Sequence, residues 1–539
     1  MHVYSYVPWG ADGIIIRVEA DIRRGIPGID VTGLAEGAVR EARERVRAGF
    51  RNSGFDFPAD RILINLSPAG VRKDGASLDL PIAISVMAAA GMAPVPENIM
   101  VLGELELSGR VRPVRGVLAA VAAGLKEGID EFIVPVENSR EAAVLPKAHF
   151  FPAPSLAEAV HALFLRAETG KLPEYRPVPD TAYSDHAVVV YSGSDSGACS
   201  GDFSEVLYQG RYKRAMEIAA AGGHNLLVFG PPGSGKTMLA RRFPSILPPL
   251  EPEEAVEVTR LYSLAGQIKA DTVPWSGLIR QPPFRSPHHS ASTEGILGGG
   301  RTVRPGEITL AHYGTLFLDE APEFRTPVLQ ALREPLEDRV ITIVRAEGPL
   351  KLPADFQLIL AANSCPCGRL GGENHCTDSM DAGESGCMCS SEEIHKYWRK
   401  LGGALLDRFD LRVPVNAPGV LAPSGNREET SAVIKKRVQA AVDIQRERFR
   451  STGIRRNARM SPLLIEKFCA LTKKAEDAFT LAASKLALSG RACHGILKTA
   501  RTIADLEGAD TIDAIHILEA VQHRRLGDDP YDILAAAKQ

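Results

Sequence analysis

Cysteine is scarce in this chain, with eight in 539 residues, which excludes a disulfide-stapled scaffold. A strong charge imbalance is also lacking. The formal net charge is -3, so any contact with nucleic acid must come from a local patch rather than from the protein as a whole. Long apolar runs are missing too. The least polar stretch, PIAISVMAAAGMAPV, is broken by Gly91 and Pro94 and falls short of the ~20 residues that span a bilayer. The start, MHVYSYVPWGADG, has neither the basic region nor the apolar region of a secretory signal. These absences lead us to expect a cytoplasmic protein with no membrane partner, in a reducing setting where paired disulfides are disfavoured.

The few cysteines are gathered. Five of the eight lie in CPCGRLGGENHCTDSMDAGESGCMCS, Cys365 to Ser390, directly behind the apolar run FQLILAAN. Around this cluster the composition changes three times. Residues 1–168 mix alternating strand-like runs with helical stretches and read as an α/β or α+β domain. Residues 169–201, rich in Pro, Ser and Gly, read as a linker. Residues 202–418 read as an α/β core with an insertion at 365–390, and residues 425–526 as an almost wholly helical domain.

The most informative stretch is NLLVFGPPGSGKTMLARRF, Asn225 to Phe243. A short apolar strand enters Gly230-Pro231-Pro232-Gly233-Ser234-Gly235-Lys236-Thr237, and a helical pattern follows. Strand, spacing, lysine, threonine and helix together form a phosphate loop. Its backbone N–H groups close around phosphates, and the helix N-terminus faces their charge. Lys236 reaches the terminal phosphates of ATP and Thr237 ligates Mg²⁺. A second apolar strand, GTLFLDE, ends in Asp319 and Glu320. Such an ending is common alone; downstream of Lys236 it supplies the Mg²⁺-holding acid and, one residue on, the base that orients and deprotonates water. A third strand ends at Asn363, whose amide can position that water. Arg408, in ALLDRFDLRVPV, stands at a helix-to-strand junction, where it either neutralises charge in phosphoryl transfer or forms a surface ion pair.

In this order the motifs resemble those of AAA+ ATPases. PFRSPHHSASTEGILGGGRTVRPGEITLAHYGTLFLDEAPEF, Pro283 to Phe324, resembles the helix-2 insert and acidic strand of the magnesium-chelatase-like branch. With DFSEVLYQGRYKRAMEIAAAGGHNLLVFGPPGSGKT and CSSEEIHKYWRKLGGALLDRFDL, nearly the whole chain resembles the ComM/YifB family of competence-type proteins. The resemblance implies a parallel-sheet AAA+ core with a C-terminal helical lid. It also implies an ATP-hydrolysing homo-oligomeric ring, a hexamer, in which Arg408 is a finger acting in trans. Asn363 becomes the first sensor, Arg491 the second sensor touching the γ-phosphate, with Arg501 as fallback, and Val206 and Tyr208 line the adenine pocket. The chain departs from the family pattern at Ser364, a position normally held by proline.

The segment SPAGVRKDGASLDLPIAISVMAAAG, together with GELELSGRVRPVRGVLAAVAAGLKEG, resembles Lon-type protease domains, with Ser77 at the nucleophile position. A serine nucleophile needs a base, yet Leu118 and Ala120 stand where the lysine is expected. We therefore expect a non-proteolytic domain used in assembly or DNA contact. For the cysteines, Cys365, Cys367, Cys387 and Cys389 make a tetrahedral Zn²⁺ site, with His375 and Cys376 as alternates; a redox thiol set or an iron–sulfur cluster are the other readings.

A DNA partner, single-stranded or branched and without sequence specificity, would be met by Arg345 and Lys351 on a hairpin, RVITIVRAEGPLKLPADF, and by Arg301 and Arg304 in GILGGGRTVRPG. Nine Lys or Arg residues between Lys435 and Arg459 face only Asp443 and Glu447, which suits DNA or a solvated helix face. His288 and His289 receive no function. The expected activity is a DNA motor of the helicase or branch-migration type serving recombination of incoming DNA. A chelatase-type motor remodelling a partner protein is the alternative, and an ATP-dependent protease is disfavoured by the missing lysine.

Overall fold

A computed structural model of the protein describes residues 2–33, 37–71, 73, 76–175, 201–268, 278–300, 303–345, 348–370, 387–415 and 428–524. Most of the expected linker, from 176 onward, therefore lies outside the described residues, as do Arg301, His375 and Cys376.

The amino-terminal domain is built on a seven-stranded mixed sheet. Its spatial order is Gly28–Thr32, Arg61–Ser67, Ile14–Arg23, His2–Val7, Ile99–Val101, Glu131–Pro135 and His149–Ala153. In Arg61–Ser67, Ile62, Ile64 and Leu66 are buried while their neighbours are more open, the period-2 signature of a half-buried strand. Helix Asp79–Ala89 is buried nearly all round, so its apolar run reads without periodicity. Leu118 and Ala120 lie in helix Val117–Lys126, both fully buried.

The second sheet is parallel throughout, in the order Phe284–Arg285, Thr315–Leu318, Gln357–Ala362, Leu226–Phe229 and Leu411–Pro414. Its three central strands are buried along their whole length. They accordingly appear in the sequence as continuous apolar runs. Parallel pairing brings the strand ends that follow Leu318, Ala362 and Phe229 to one edge of the sheet, where ligands of such sheets bind. The expected α/β core with a parallel sheet is what the chain forms.

Among the described residues five helices follow: Ser431–Phe449, Pro462–Phe468, Lys473–Lys485, Gly490–Leu506 and Ala514–Arg524. Ile434, Val438, Ala441 and Val442 of the first share one apolar cluster with Leu411, Val413 and Met216 of the ATPase core. The amino-terminal domain is attached through helix Pro252–Ala265. Its Leu264 packs in a cluster with Tyr6 and Val117. Ser263 donates a 2.5 Å hydrogen bond to Glu141, and Arg260 pairs with Asp12 at 2.8 Å. Gly10 lies close to Leu350, which belongs to the antiparallel hairpin Val340–Arg345/Gly348–Pro353.

Candidate nucleotide site and cysteine cluster

The strand Leu226–Phe229 delivers the chain into Gly230 at the sheet edge. A Cβ at Gly230 would lie 2.0 Å from the Val415 carbonyl, so only glycine permits this passage. Gly235 opens helix Lys236–Arg242 at a φ of 83°, the left-handed region that glycine enters without penalty. Lys236 Nζ donates to the carbonyls of Gly230 at 2.8 Å and Pro231 at 2.7 Å. It also lies 3.4 Å from Asn363 Oδ1. Burial pulls its pKa down to about 8, against the opposing pull of the Asp319 and Glu320 carboxylates. Ser234 Oγ donates to the Pro231 carbonyl at 2.8 Å, closing the loop on itself.

Across the sheet edge, Thr237 Oγ1 donates to Asp319 Oδ2 at 2.7 Å. Hydroxyl and carboxylate thus stand together, as the two protein ligands of a nucleotide-bound Mg²⁺ must. Mg²⁺ bound there would neutralise phosphate charge. Glu320 follows at a φ of 49°, left-handed for a residue with a side chain. Its backbone N–H is held by Asp319 Oδ1 at 3.0 Å, and its carboxylate is exposed, free to orient a water. His289 Nδ1 lies 3.7 Å from Glu320 Oε2, and its ring is 4.1 Å from that of His288. This neighbour was not expected from the sequence. His289 follows the short strand Phe284–Arg285, and the pairing of that strand with Thr315–Leu318 is what brings it to the site.

Asn363 is fixed from behind. The Tyr397 hydroxyl is bonded to its backbone, and Trp398 Nε1 donates to the Ser364 carbonyl at 3.1 Å. Ser364 itself is buried. On the nucleotide side, Gln209 donates to the Ser234 carbonyl at 3.1 Å and Tyr212 donates to the Lys236 carbonyl at 3.2 Å. Val206 is packed in the core, whereas Tyr208 is exposed at a φ of 63°.

The arginines form a second group. Arg408 pairs with Glu337 at 2.9 Å, and Arg491 reaches the same Glu337 oxygen and, at 3.8 Å, Asp407. Among the described residues, no hydrogen bond or ion pair joins either arginine to the phosphate loop. Glu337 is a residue that sequence reasoning missed, and its pKa is lowered, first by Arg491 and then by Arg408. Arg501 is only 1 % exposed. Its guanidinium is occupied by Asp505 at 3.0 Å and by the carbonyls of Asp510 and Ala509, so it braces the lid.

The four cysteines converge. Cys365 Sγ lies 3.3 Å from Cys367 and 3.6 Å from Cys387, and Cys367 lies 3.6 Å from Cys387. With Cys389, all four sulfurs fall within 4.8 Å of one another. Tetrahedral Zn–S bonds of about 2.3 Å require sulfurs about 3.8 Å apart, so the cluster fits that ion. Burial, with help from the neighbouring thiols, pushes Cys387 up to about 12. Zn²⁺ held by these four thiolates would close a loop that touches the phosphate loop, since Gly368 sits directly against Pro232.

Of the residues expected to meet DNA, Lys351 and Arg304 are exposed. Arg345 is part-buried and donates to the Gly300 carbonyl, tying the hairpin to the glycine-rich insert. The basic lid section is mostly neutralised. Arg437, Arg446, Arg448, Arg450, Arg455 and Arg459 all sit in ion pairs. In the amino-terminal domain Ser77 is half-buried in a single 3₁₀ turn. Lys73, the nearest lysine in sequence, is fully buried and spends its ammonium on the Gly33 and Pro68 carbonyls.

Comparison with known proteins agrees with this arrangement. Residues 18–138 match the family described as subunit ChlI of Mg-chelatase, residues 202–420 match magnesium chelatase, subunit ChlI, and residues 428–524 match its C-terminal part. The uncharacterized protein YifB of Salmonella typhimurium is 41% identical over 97% of both chains. The competence protein ComM of Haemophilus influenzae is 39% identical, again over 97% of both. A Lon protease of Trichlorobacter lovleyi is 25% identical over 25% of this chain and 18% of its own. Phosphate loop, paired acids, sensor asparagine and near-full-length identity together place the chain in the ComM/YifB family of magnesium-chelatase-like AAA+ proteins.

Proposed function

We propose that the protein is an ATP-driven, Mg²⁺-dependent ring motor, a cytoplasmic homo-hexamer, that moves on DNA without reading its sequence. Its action is of the helicase or branch-migration type, on single-stranded or branched DNA during recombination of incoming DNA in natural transformation. The observation that carries the motor is the meeting of Thr237 and Asp319 at 2.7 Å beside Lys236 and Asn363. The DNA assignment is supported by kinship with a competence protein and by a hairpin that presents Lys351 to solvent. Arg345 and Arg304 lie beside that hairpin and insert, and Arg301 belongs to the same glycine-rich segment.

Arg408 acts in trans on the nucleotide of the adjacent subunit and Arg491 touches the γ-phosphate as second sensor, each after leaving the Glu337 carboxylate that they share. Structural Zn²⁺ on Cys365, Cys367, Cys387 and Cys389 holds the loop beside Pro232. A chelatase-type motor that remodels a partner protein is the second reading, favoured by the match over residues 202–420. ATP hydrolysis measured with and without forked or four-way DNA separates the two. Stimulation of several-fold by DNA is expected, and a rate indifferent to DNA at saturating protein would reject the DNA motor.

A further inference from the structure

Between Lys435 and Arg459 every arginine but one is paired with a carboxylate. Arg456 is the exception. Among the described residues no ion pair holds it, and its Nη1 atom is buried without a hydrogen-bond partner. It lines a cavity of about 90 Å³ where the lid meets the ATPase core, with Arg455, Arg459, Tyr313 and Thr315. Thr315 is fully buried, and its hydroxyl also has no partner. Glu254 engages Arg455 and Asp355 engages Arg459, which leaves the lining with one positive charge in excess.

A buried guanidinium nitrogen without a hydrogen-bond partner and a buried hydroxyl without one are each unfavourable. That both face one cavity points to a ligand. Glu254 and Asp443 act on Arg456 through space, but they already pair with Arg455 and Arg446, so water would satisfy the hydrogen bonds and leave the excess positive charge in place. Burial lowers Arg456 to about 10, so the guanidinium is still charged at neutral pH. A single water needs about 10–15 Å³ of such space, and 90 Å³ admits a tetrahedral oxyanion. A guanidinium fork suits that geometry, donating to two oxygens at once. The cavity lies at the opposite end of the Thr315–Leu318 strand from Asp319, so it is separate from the phosphate loop.

We infer that this cavity binds a phosphate-class oxyanion, which links Arg456 of the lid to Thr315 of the core strand that carries the catalytic acids. The group is either a free phosphate or one phosphate of a nucleic-acid strand. The test uses the full chain carrying Lys236→Ala, which removes the phosphate-loop lysine as a competing site. Inorganic phosphate is titrated in a phosphate-free buffer at fixed ionic strength while the unfolding temperature is followed. A saturable rise is expected, with Arg456→Gln weakening the apparent affinity at least tenfold and Thr315→Val weakening it by a smaller factor. If Arg456→Gln does not fold, Thr315→Val decides alone, since it preserves shape and removes only the hydroxyl. Adding a short single-stranded oligonucleotide separates the sources: suppression of the phosphate response identifies a strand phosphate, and an unchanged response identifies the free ion. No saturable rise, or an equal rise in the variants, overturns the site and leaves a water-filled cavity.

Discussion

The two places where this chain resembles an enzyme have met opposite fates. In the ATPase core three polar groups that phosphoryl transfer needs each have a partner that fixes them: Lys236 on two loop carbonyls, Thr237 on Asp319, Asn363 behind Tyr397. In the amino-terminal domain Ser77 remains, but Leu118 and Ala120, where a lysine base is expected, are fully buried core residues. Nearby Lys73 is held by backbone carbonyls. Polar catalytic groups persist inside a fold only while their burial is compensated.

Installing the missing lysine is the most forceful way to break this contrast. Ala120→Lys places an ammonium in an apolar cluster around Val117, Val121 and Phe132. A buried lysine loses 3–5 pKa units, worth roughly 4–7 kcal/mol. We expect the amino-terminal domain to unfold or to become sensitive to protease, with no peptidase activity gained; a stable, peptide-cleaving variant would erase the distinction. Glu320→Gln comes next. It should retain ATP binding while hydrolysis falls roughly 10²–10⁴-fold, the usual worth of a positioned base, and wild-type turnover would remove Glu320 from the mechanism.

A smaller effect sharpens the electrostatic half of the contrast. The Lys236 pKa of about 8 in the nucleotide-free protein lies below the lysine's ordinary range. Phosphate favours the charged form, so ATP binding should take up a fraction of a proton above pH 8 and almost none at pH 6.5. Calorimetry in two buffers of different ionisation enthalpy measures this, and equal uptake at both pH values would contradict it. Smallest of all is Ser77→Ala, expected to leave ATP hydrolysis unchanged and to alter stability by no more than about 0.5 kcal/mol. A marked loss of activity would restore a chemical role to that serine.

Legibility in the sequence followed the range of the interactions. The phosphate loop, the acid strand and the asparagine strand were readable because each is a contiguous apolar run ending in its functional residue, and parallel pairing aligns the ends. The cysteine set was readable because thiols are rare enough for a cluster to stand out. Glu337 and His289 were not. Their significance comes from packing between segments about 150 and 30 residues apart, and neither belongs to a local pattern. The acids that pair with the basic lid section were not legible either: Glu217, Glu254 and Asp505 come from distant helices.

The backbone at Glu320 has a consequence of its own. A side-chain-bearing residue at a φ of 49° pays roughly 1–2 kcal/mol that glycine would escape. Selection for a sturdier subunit alone would therefore favour Glu320→Gly, and the same change would silence the motor. A carboxylate at that turn is therefore a burden on stability that a hydrolytic role for Glu320 would account for.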